Sequence, residues 1–579
     1  MIKTLSPYMK KYGVYAILCP LMIIGEVLME VFIPLLMSKI VDIGIPLGQQ
    51  TGNITYIAQT GALMVGMAML ALLFGALAAR FGAKAGMGFG SELRRGMFEK
   101  IQGFSFANID KFSTASLVTR MTTDVNSAQM SFMMVIRMLV RAPFMLVCAT
   151  CMAFSINRSL VAIFLIAIPV LAIGFIVMSS IAFPRFQAML KKYDAMNGSV
   201  QENLISIRVV KAFVRAAHEK LKFRKSTEDL MQSSLRAEKI MVFNMPLMQL
   251  SMYACIVAIL WFGGNKVIAG SMETGELISF ISYVTQILMS LMMISMVFIM
   301  LVMSQASLKR IAEVLSEQSD ITDAQNDGAV TAADGSVVFD HVSFQYDKNS
   351  AENTLDDISL SIESGQTVGI IGGTGSAKTT LVQLIPRLYD VTKGKILVGG
   401  HDVRDYKLED LRRAVGMVLQ KNVLFSGSIR DNLKWGNADA TDDEIIAACK
   451  AAQAYDFIMS FPDGFDTELG QGGVNVSGGQ KQRLCIARAL LKKPKIIILD
   501  DSTSAVDTAT DAKIRQAFAE TFTDTTAIII AQRISSICDA DRIIVLDDGK
   551  IAGIGTHDEL METNEIYRDV YNSQQKGVA

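Results

Sequence analysis

Two stretches in the second half of the chain carry residues suited to binding phosphate. The first follows a predicted strand over 366–371 and matches the spacing G-x-x-x-x-G-K-[ST] closely. In such a loop, backbone N–H groups surround phosphates, the lysine binds the terminal ones and the following hydroxyl ligates Mg²⁺. Its residues are Gly372, Gly373, Thr374, Gly375, Ser376, Ala377, Lys378, Thr379 and Thr380. These residues predict a phosphate site that also holds a divalent cation.

The second stretch begins with a small turn that opens a predicted helix. This turn consists of Ser477, Gly478, Gly479 and Gln480. A helix start presents free N–H groups and the positive end of the dipole to an anion. An apolar run over 496–499 then predicts a strand that is buried on both faces. Asp500 and Asp501 follow at its carboxyl end, where open α/β sheets bind ligands, so Asp500 is expected to bind the same Mg²⁺.

Composition indicates that part of the chain lies in lipid. With 579 residues it is long enough for two or more domains, and it has a mean hydropathy of +0.35 and 35 Met. A net charge of -1 gives no indication of nucleic-acid binding. Cys148 and Cys151 have the spacing of a redox or metal motif, but their apolar surroundings favour a packing role in a membrane helix.

Six apolar runs predict membrane-spanning helices, since a bilayer core requires about 20 apolar residues. The runs lie near 14–41, 56–82, 130–154, 159–182, 242–263 and 276–303. No Lys or Arg occurs between Lys39 and Arg80, whereas 84–128 and 185–240 are rich in both. Positive charge accumulates on the cytoplasmic side, so these two basic stretches are predicted to extend into the cytoplasm as helices. Residues 1–12 predict a short interfacial helix on the same side.

Two features of the spans could contact a transported molecule. Glu26 and Glu30 lie four residues apart on one face of the first span, where they could attract cations. The alternative is that they pair with Arg137, Arg141 or backbone groups. Met292 and Met296 belong to a methionine stripe on the sixth span, which suits either a permissive apolar pocket or simple packing.

Taken in order, the phosphate loop, the SGGQ turn and the IIILDD strand resemble the nucleotide-binding domain of ATP-binding cassette (ABC) transporters. The first half is similar to the exporter-type membrane domain of that family. The resemblance implies a multidomain protein of the cytoplasmic membrane, with its termini and ATPase domain in the cytoplasm. It has an all-α six-helix transmembrane domain (1–315), a linker (316–336) and an α/β P-loop nucleotide-binding domain (337–579). It also implies two coupling segments that contact nucleotide-binding domains, at 112–120 and 201–213.

The same resemblance implies roles for single residues. Tyr346 matches the position that stacks on adenine, and Gln420 matches the glutamine that reaches Mg²⁺ and the attacking water. Ser504 to Asp507 match the loop at the dimer interface. In the family, each ATP is held by the phosphate loop of one chain and the SGGQ of the other, so a homologous half-transporter is the expected partner.

Three departures from the family pattern concern this chain's own phosphate site. Asp501 stands where a catalytic Glu is usual, and Gln532 stands where the switch His is usual. Ala377 replaces the last glycine of the phosphate loop, and its place at a helix start predicts ordinary φ and ψ.

The departures resemble the degenerate-site subunit of bacterial heterodimeric multidrug exporters. That resemblance implies ATP-driven export of small lipophilic compounds, drugs foremost, across the cytoplasmic membrane, with membrane lipid as a further partner. A homodimeric exporter of lipid or peptide with slow Asp501-dependent hydrolysis is one alternative. An ATP-gated channel or regulator is the other.

Overall fold

A computed structural model describes residues 2–323, 330–347, 352–502, 506–521 and 524–576. The chain divides into two compact units. The helical unit contains Met1–Gln102 and Thr114–Glu317, and the mixed unit contains Gly103–Ser113 and Gln318–Ala579. Two of the predicted dimer-loop residues, Ser504 and Ala505, lie outside the described residues.

The first twelve α-helices account for nearly all of the described chain up to Ser316. They are α1 (Ile2–Leu5), α2 (Gly13–Lys39), α3 (Ile45–Thr51), α4 (Thr55–Gln102), α5 (Phe106–Phe112), α6 (Thr114–Thr119), α7 (Val125–Ile156), α8 (Ala162–Ile205), α9 (Ile207–Ala212), α10 (Ala216–Val242), α11 (Asn244–Ile268) and α12 (Thr274–Ser316). A 3-10 turn over Ser6–Tyr12 precedes α2, and π-helical turns over Ile40–Gly44 and Arg120–Asp124 follow α2 and precede α7.

Six stretches of the described helices are long and apolar enough to cross a membrane, which confirms the six predicted spans. They are Lys3–Thr51, Thr55–Gln102, Thr114–Ile156, Ile166–Ile205, Ala216–Ile268 and Thr274–Phe298. The basic stretches form largely helix as predicted, since α4 and α8 continue well beyond their apolar parts and α10 is polar along most of its length. Of the predicted coupling segments, 201–213 contains the end of α8 and helix α9, and 112–120 contains the end of α5 and helix α6.

The mixed unit contains twelve strands and, apart from α5, nine helices among its described residues. The strands are β1 (Val337–Phe344), β2 (Leu355–Ile362), β3 (Thr367–Gly372), β4 (Lys393–Val398), β5 (His401–Asp402), β6 (Val415–Val418), β7 (Gly427–Ser428), β8 (Glu468–Leu469), β9 (Ile496–Asp500), β10 (Thr526–Ile530), β11 (Arg542–Asp547) and β12 (Lys550–Gly555). The helices are α13 (Lys378–Gln383), α14 (Leu408–Ala414), α15 (Ile429–Lys434), α16 (Asp442–Ala451), α17 (Tyr455–Met459), α18 (Gly478–Leu491), α19 (Thr508–Thr521), α20 (His557–Thr563) and α21 (Glu565–Lys576).

One six-stranded sheet, in the order β12-β11-β3-β10-β9-β6, organises this unit. Strand β3 pairs in parallel with β10 and β11, and β9 pairs in parallel with β10 and β6. The apolar run predicted as a buried strand is β9, and all five of its residues are buried. Because the central strands are parallel, the residues that follow β3, β9 and β10 lie along one edge of the sheet.

Helix α5 belongs to the mixed unit although it follows α4 in the chain. Ser105 caps it, and Asn108 closes the capping box and donates from Nδ2 to the Gln318 carbonyl at 3.3 Å. The Tyr389 hydroxyl donates to Asp110 Oδ2 at 2.7 Å, and burial together with this carboxylate raises the pKa of Tyr389. Helix α5 is therefore attached to the mixed unit by a cap and by contacts that are distant in sequence, whereas most of the predicted coupling segment, 112–120, follows this helix.

Removing the Tyr389 hydroxyl should loosen α5. Tyr389→Phe keeps the ring beside Phe106 but loses the bond to Asp110, which is worth about 0.5–1.5 kcal/mol. Amide hydrogen exchange over 106–112 should become about two- to tenfold faster in the full-length protein.

Tyr346→Phe is the matched control. It removes a hydroxyl from the same aromatic cluster, where Tyr346 bonds to Thr380 rather than to α5. Equal acceleration by both variants would show that the Tyr389 hydroxyl has no particular role in holding α5.

Candidate functional site

The phosphate loop, residues 372–377, leaves the carboxyl end of β3 and leads into α13. Lys378 folds back over this loop and donates from Nζ to the carbonyls of Gly372 at 2.9 Å and Gly373 at 2.7 Å, and to Ser376 Oγ at 3.3 Å. Burial lowers the pKa of Lys378, while the nearby Asp500 and Asp501 act in the opposite direction. The ammonium group is thus held directly above the loop that the sequence predicted to bind phosphate.

Two residues of the phosphate loop have a left-handed backbone. Gly375 has φ +89°, which glycine adopts without strain. Ala377 has φ 67° and ψ 23°, so the expectation of ordinary φ and ψ at this position is wrong. The loop closes before the helix begins, and the residue at the closure must turn left-handed whether or not it is glycine.

Asp500 ends β9 and faces α13. Its side chain is only 1% exposed, and its Oδ1 accepts a hydrogen bond from Thr379 Oγ1 at 3.0 Å. The other oxygen, Oδ2, is buried and has no hydrogen-bond partner among the described residues. Burial raises the pKa of Asp500, and the Thr379 hydroxyl partly offsets that effect. The buried carboxylate oxygen without a hydrogen-bond partner and the neighbouring hydroxyl are oxygen ligands of the kind that a hard divalent cation prefers.

Asp501, the next residue, points to different partners. Its backbone is left-handed (φ 46°), and its Oδ2 accepts from Gln532 Nε2 at 2.8 Å and, more weakly, from Gln420 Nε2 at 3.5 Å. Burial raises the pKa of Asp501, and the two amide donors act against this rise. The structure thus brings together the three residues to which the resemblance assigns catalytic positions.

The backbone of Gln532 is held as well. Gln574, on α21, donates from Nε2 to the Gln532 carbonyl at 2.7 Å and accepts from the Ile534 N–H at 2.9 Å. Sequence reasoning missed both Gln574 and Tyr389. Neither lies in a motif, and only their distant partners distinguish them from surface residues.

Tyr346 lies beside the helix that follows the phosphate loop. Its hydroxyl is 3.0 Å from Thr380 Oγ1, and its ring packs edge-on against Phe344 and Tyr389. The side chain remains 51% exposed. A half-exposed ring next to the phosphate loop provides a surface on which a nucleobase can stack.

The SGGQ turn caps α18. Ser477 Oγ accepts from the Gln480 N–H at 3.3 Å, while Gln480 Oε1 accepts from the Ser477 N–H at 2.8 Å. This capping box places Gly478 and Gly479 in the first helical turn. Helix α18 packs in a different hydrophobic cluster from β3 and α13, so the turn and the phosphate loop are built on separate parts of the core.

Asp507 caps the helix after the predicted dimer loop. Its carboxylate accepts from the Thr510 N–H at 2.9 Å and from the Thr510 hydroxyl at 2.8 Å, and these bonds lower its pKa. The residue thus starts α19.

In the helical unit, Arg141 on α7 binds both predicted glutamates of α2. It donates from Nη2 to the two carboxylate oxygens of Glu30 at 2.9 Å and from Nη1 to Glu26. The alternative of pairing with Arg141 is therefore confirmed. Met292 is partly buried against the core of this unit, whereas Met296 is 68% exposed.

Comparisons with known proteins agree with this geometry. The family model of the ABC transporter transmembrane region matches residues 16–292, and the ABC transporter model matches residues 355–504. An uncharacterised ABC transporter ATP-binding protein of Bacillus subtilis (strain 168), YfiB, is 38% identical over 99% of this chain and 98% of its own length.

Two further relatives carry functional names. An ATP-dependent lipid A-core flippase of Syntrophus aciditrophicus (strain SB) is 33% identical over 84% of this chain and 80% of its own length. A protein of Bacillus subtilis (strain 168), YgaD, named provisionally for multidrug export, is 34% identical over 83% of each chain.

A solved structure of a bacterial Atm1-family ABC exporter with ATP bound superimposes with a TM-score of 0.84. It is 25% identical, and the match covers 98% of this chain and 99% of the other. The chain therefore belongs to the ABC transporter family, as an exporter half-transporter whose ATP-binding domain is fused to six membrane-spanning helices of the inner membrane.

Proposed function

We propose that this chain is the degenerate-site half of a heterodimeric exporter of lipophilic compounds. Its own phosphate site binds ATP and seldom hydrolyses it, while its SGGQ turn completes the competent site of a homologous partner. The observation that carries this proposal is the 2.8 Å hydrogen bond from Gln532 Nε2 to Asp501 Oδ2.

The Asp501–Gln532 pair is poorly suited to catalysing hydrolysis. Aspartate is one methylene shorter than glutamate, so its carboxylate ends about 1–1.5 Å short of the position that a glutamate reaches. The oxygen that would accept a proton from water already accepts hydrogen bonds from two amides. An amide cannot carry the positive charge that a protonated histidine would place beside the γ-phosphate. The loss of a positioned base alone lowers a rate about 10²- to 10⁴-fold.

The remaining groups of the site suit ATP binding. Lys378 can exchange its bonds to the loop carbonyls for the terminal phosphates, and Tyr346 offers its exposed ring to adenine. The residues also fit Mg²⁺: Thr379, Asp500 and Gln420 would hold it, and Asp500 Oδ2 lacks another partner among the described residues. Bound there, the cation would neutralise charge on the β- and γ-phosphates.

This chain combines an intact SGGQ turn with a weak base at Asp501, and that combination indicates a role of the turn toward another chain. Ser477 and Gln480 form a complete capping box, so the two glycine N–H groups of the first turn are presented at an ordered helix start. In a chain whose own phosphate site hydrolyses ATP poorly, an ordered SGGQ turn has a function only if it completes the ATP site of a partner chain. Within this proposal, Asp507 lies at the interface between the two nucleotide-binding domains.

Exposed apolar surfaces support the presence of such a neighbour. Around α9, large apolar side chains are exposed at Leu204, Ile205, Val209, Phe213 and Val214. The mixed unit exposes Leu419, Val423 and Phe425 on either side of Gln420 in the sequence, and exposed Trp435 stacks on Phe425. Apolar clusters of this kind mark protein contacts, and we assign them to contacts with the partner's corresponding surfaces.

The substrate class follows from the membrane spans and the named relatives. Partly buried Met292 and exposed Met296 provide adaptable apolar surface, and the two relatives are named for a lipid A-core flippase and for multidrug export. Glu26 and Glu30 both pair with Arg141, so these two carboxylates belong to an ion-pair network between α2 and α7.

Restoring the two family residues should restore hydrolysis. The double variant Asp501→Glu with Gln532→His should raise the rate of phosphate release by the purified full-length chain at least about a hundredfold. Two copies of the chain can supply intact SGGQ turns to each other. Gln471→Glu introduces a carboxylate at an exposed position outside the phosphate site, so it is the control and should leave the rate unchanged.

Rapid hydrolysis by the unchanged chain alone, abolished by Asp501→Asn, would support a homodimeric exporter and overturn the degenerate site. No gain in the double variant would show that these two positions do not limit hydrolysis. Uphill, ATP-dependent uptake into inverted vesicles that requires the partner would exclude a gated channel.

The left-handed backbone of Ala377 should weaken the phosphate loop. A non-glycine residue in this conformation costs about 1–2 kcal/mol, and glycine adds about 0.5–1 kcal/mol of unfolded-state entropy. Ala377→Gly should therefore stabilise the ATP-binding domain by about 0.5–1 kcal/mol. Trp435 fluorescence during urea unfolding, in a Trp261→Phe background, isolates this domain because the chain has 2 Trp.

Ala447→Gly provides the matched control. This alanine is exposed within α16, where glycine should destabilise the domain by about 1 kcal/mol. If both substitutions destabilise the domain, the Ala377 backbone is not strained.

A further inference from the structure

We propose that Gln574 is a positioning residue for the switch loop, defined here as residues 531–534. Through the backbone of this loop it sets where the Gln532 side chain lies relative to Asp501. The inference rests on the ATP-binding role of the domain. It goes beyond the proposed function because it holds whether the partner is a different chain or a second copy.

The amide of Gln574 acts on the switch loop as a neighbouring strand would. It donates to the Gln532 carbonyl at 2.7 Å and accepts from the Ile534 N–H at 2.9 Å. Strand β10 ends at Ile530, so pairing between strands does not continue to these two groups. Ile534 is a core residue, and buried backbone groups require a partner. One side-chain amide supplies both an acceptor and a donor here.

Helix α21 is docked firmly enough to make Gln574 a fixed point. Tyr567 is completely buried, and its hydroxyl is 2.8 Å from His557 Nδ1. Val570 and Tyr571 pack against the hydrophobic cluster that contains Ile534. The Tyr567 N–H also donates to Asn564 Oδ1 at 2.9 Å. The helix and the switch loop therefore share one core.

Gln532 is thus held at both ends. Gln574 fixes its backbone, and Asp501 accepts from its side chain at 2.8 Å. A series of hydrogen bonds connects the C-terminal helix to the end of β9. When the hydrogen bonds of Gln574 to the switch loop are lost, the backbone of this loop becomes more mobile. Gln532 then spends less time in the position from which its amide reaches Asp501 or a γ-phosphate.

Three substitutions in the full-length protein test this inference. Gln574→Ala removes both bonds, whereas Gln574→Glu keeps the acceptor for Ile534 but loses the donor to Gln532. Gln575→Ala alters the adjacent, exposed residue of the same helix and is the control. The measurements are amide hydrogen exchange at Ile534 and over 568–571, and the release rate of bound fluorescent mant-ATP.

In Gln574→Ala, exchange at Ile534 should accelerate at least about fivefold, with residues 568–571 unchanged. Gln574→Glu should keep most of the protection at Ile534. Both variants should release mant-ATP about three- to tenfold faster than the unchanged chain, because the switch loop is freed at Gln532 in each. Gln575→Ala should match the unchanged chain in all measurements.

Unchanged exchange at Ile534 in Gln574→Ala would overturn the inference. So would acceleration over 568–571 that parallels the change at Ile534, since Gln574 would then only stabilise its own helix. Equal effects of Gln575→Ala would overturn it as well. Rapid hydrolysis by the unchanged chain would refute the degenerate site but would leave the exchange result standing.

Discussion

Parallel pairing of β3, β10 and β9 determines where the phosphate loop, the switch loop and the two aspartates lie. Ile530 pairs with Ile370 on one side and with Asp500 on the other, so three chain segments leave the sheet at the same level. They become the phosphate loop, the switch loop and the pair of aspartates. Asp500 is the last residue of β9 and reaches Thr379, whereas Asp501 lies just beyond the strand, has a left-handed backbone and reaches Gln532.

Burial gives these charges their chemical character. It raises the pKa of Asp500 and Asp501 and lowers that of Lys378, since each charged form loses water. Attraction between the opposite charges offsets part of the lost hydration, and hydrogen bonds offset more of it, except at Asp500 Oδ2. An incompletely satisfied buried carboxylate is stabilised by a cation, so the same burial that strains the site without ligand favours binding.

Local sequence patterns predicted the spans, β9, the phosphate loop and the SGGQ helix start, because each depends on neighbouring residues. Three features were not predicted. The left-handed backbone of Ala377 is local, since it lies where the phosphate loop meets α13. The other two depend on contacts distant in sequence. Helix α5 is placed by Tyr389, which lies 279 positions further along the chain. The switch loop is held by Gln574, 42 positions after Gln532. No spacing rule connects such pairs.

The two replacements at the base and switch positions suit each other. Glutamine has the reach and the N–H donor needed to bind a shortened carboxylate, and an amide does not titrate. Their hydrogen bond therefore does not depend on a titrating group at the switch position, whereas a glutamate and a histidine could exchange a proton. An amide that keeps its protons holds the end of β9 in one arrangement. In the proposed heterodimer, that constancy suits a site that keeps its nucleotide while the partner's site turns over.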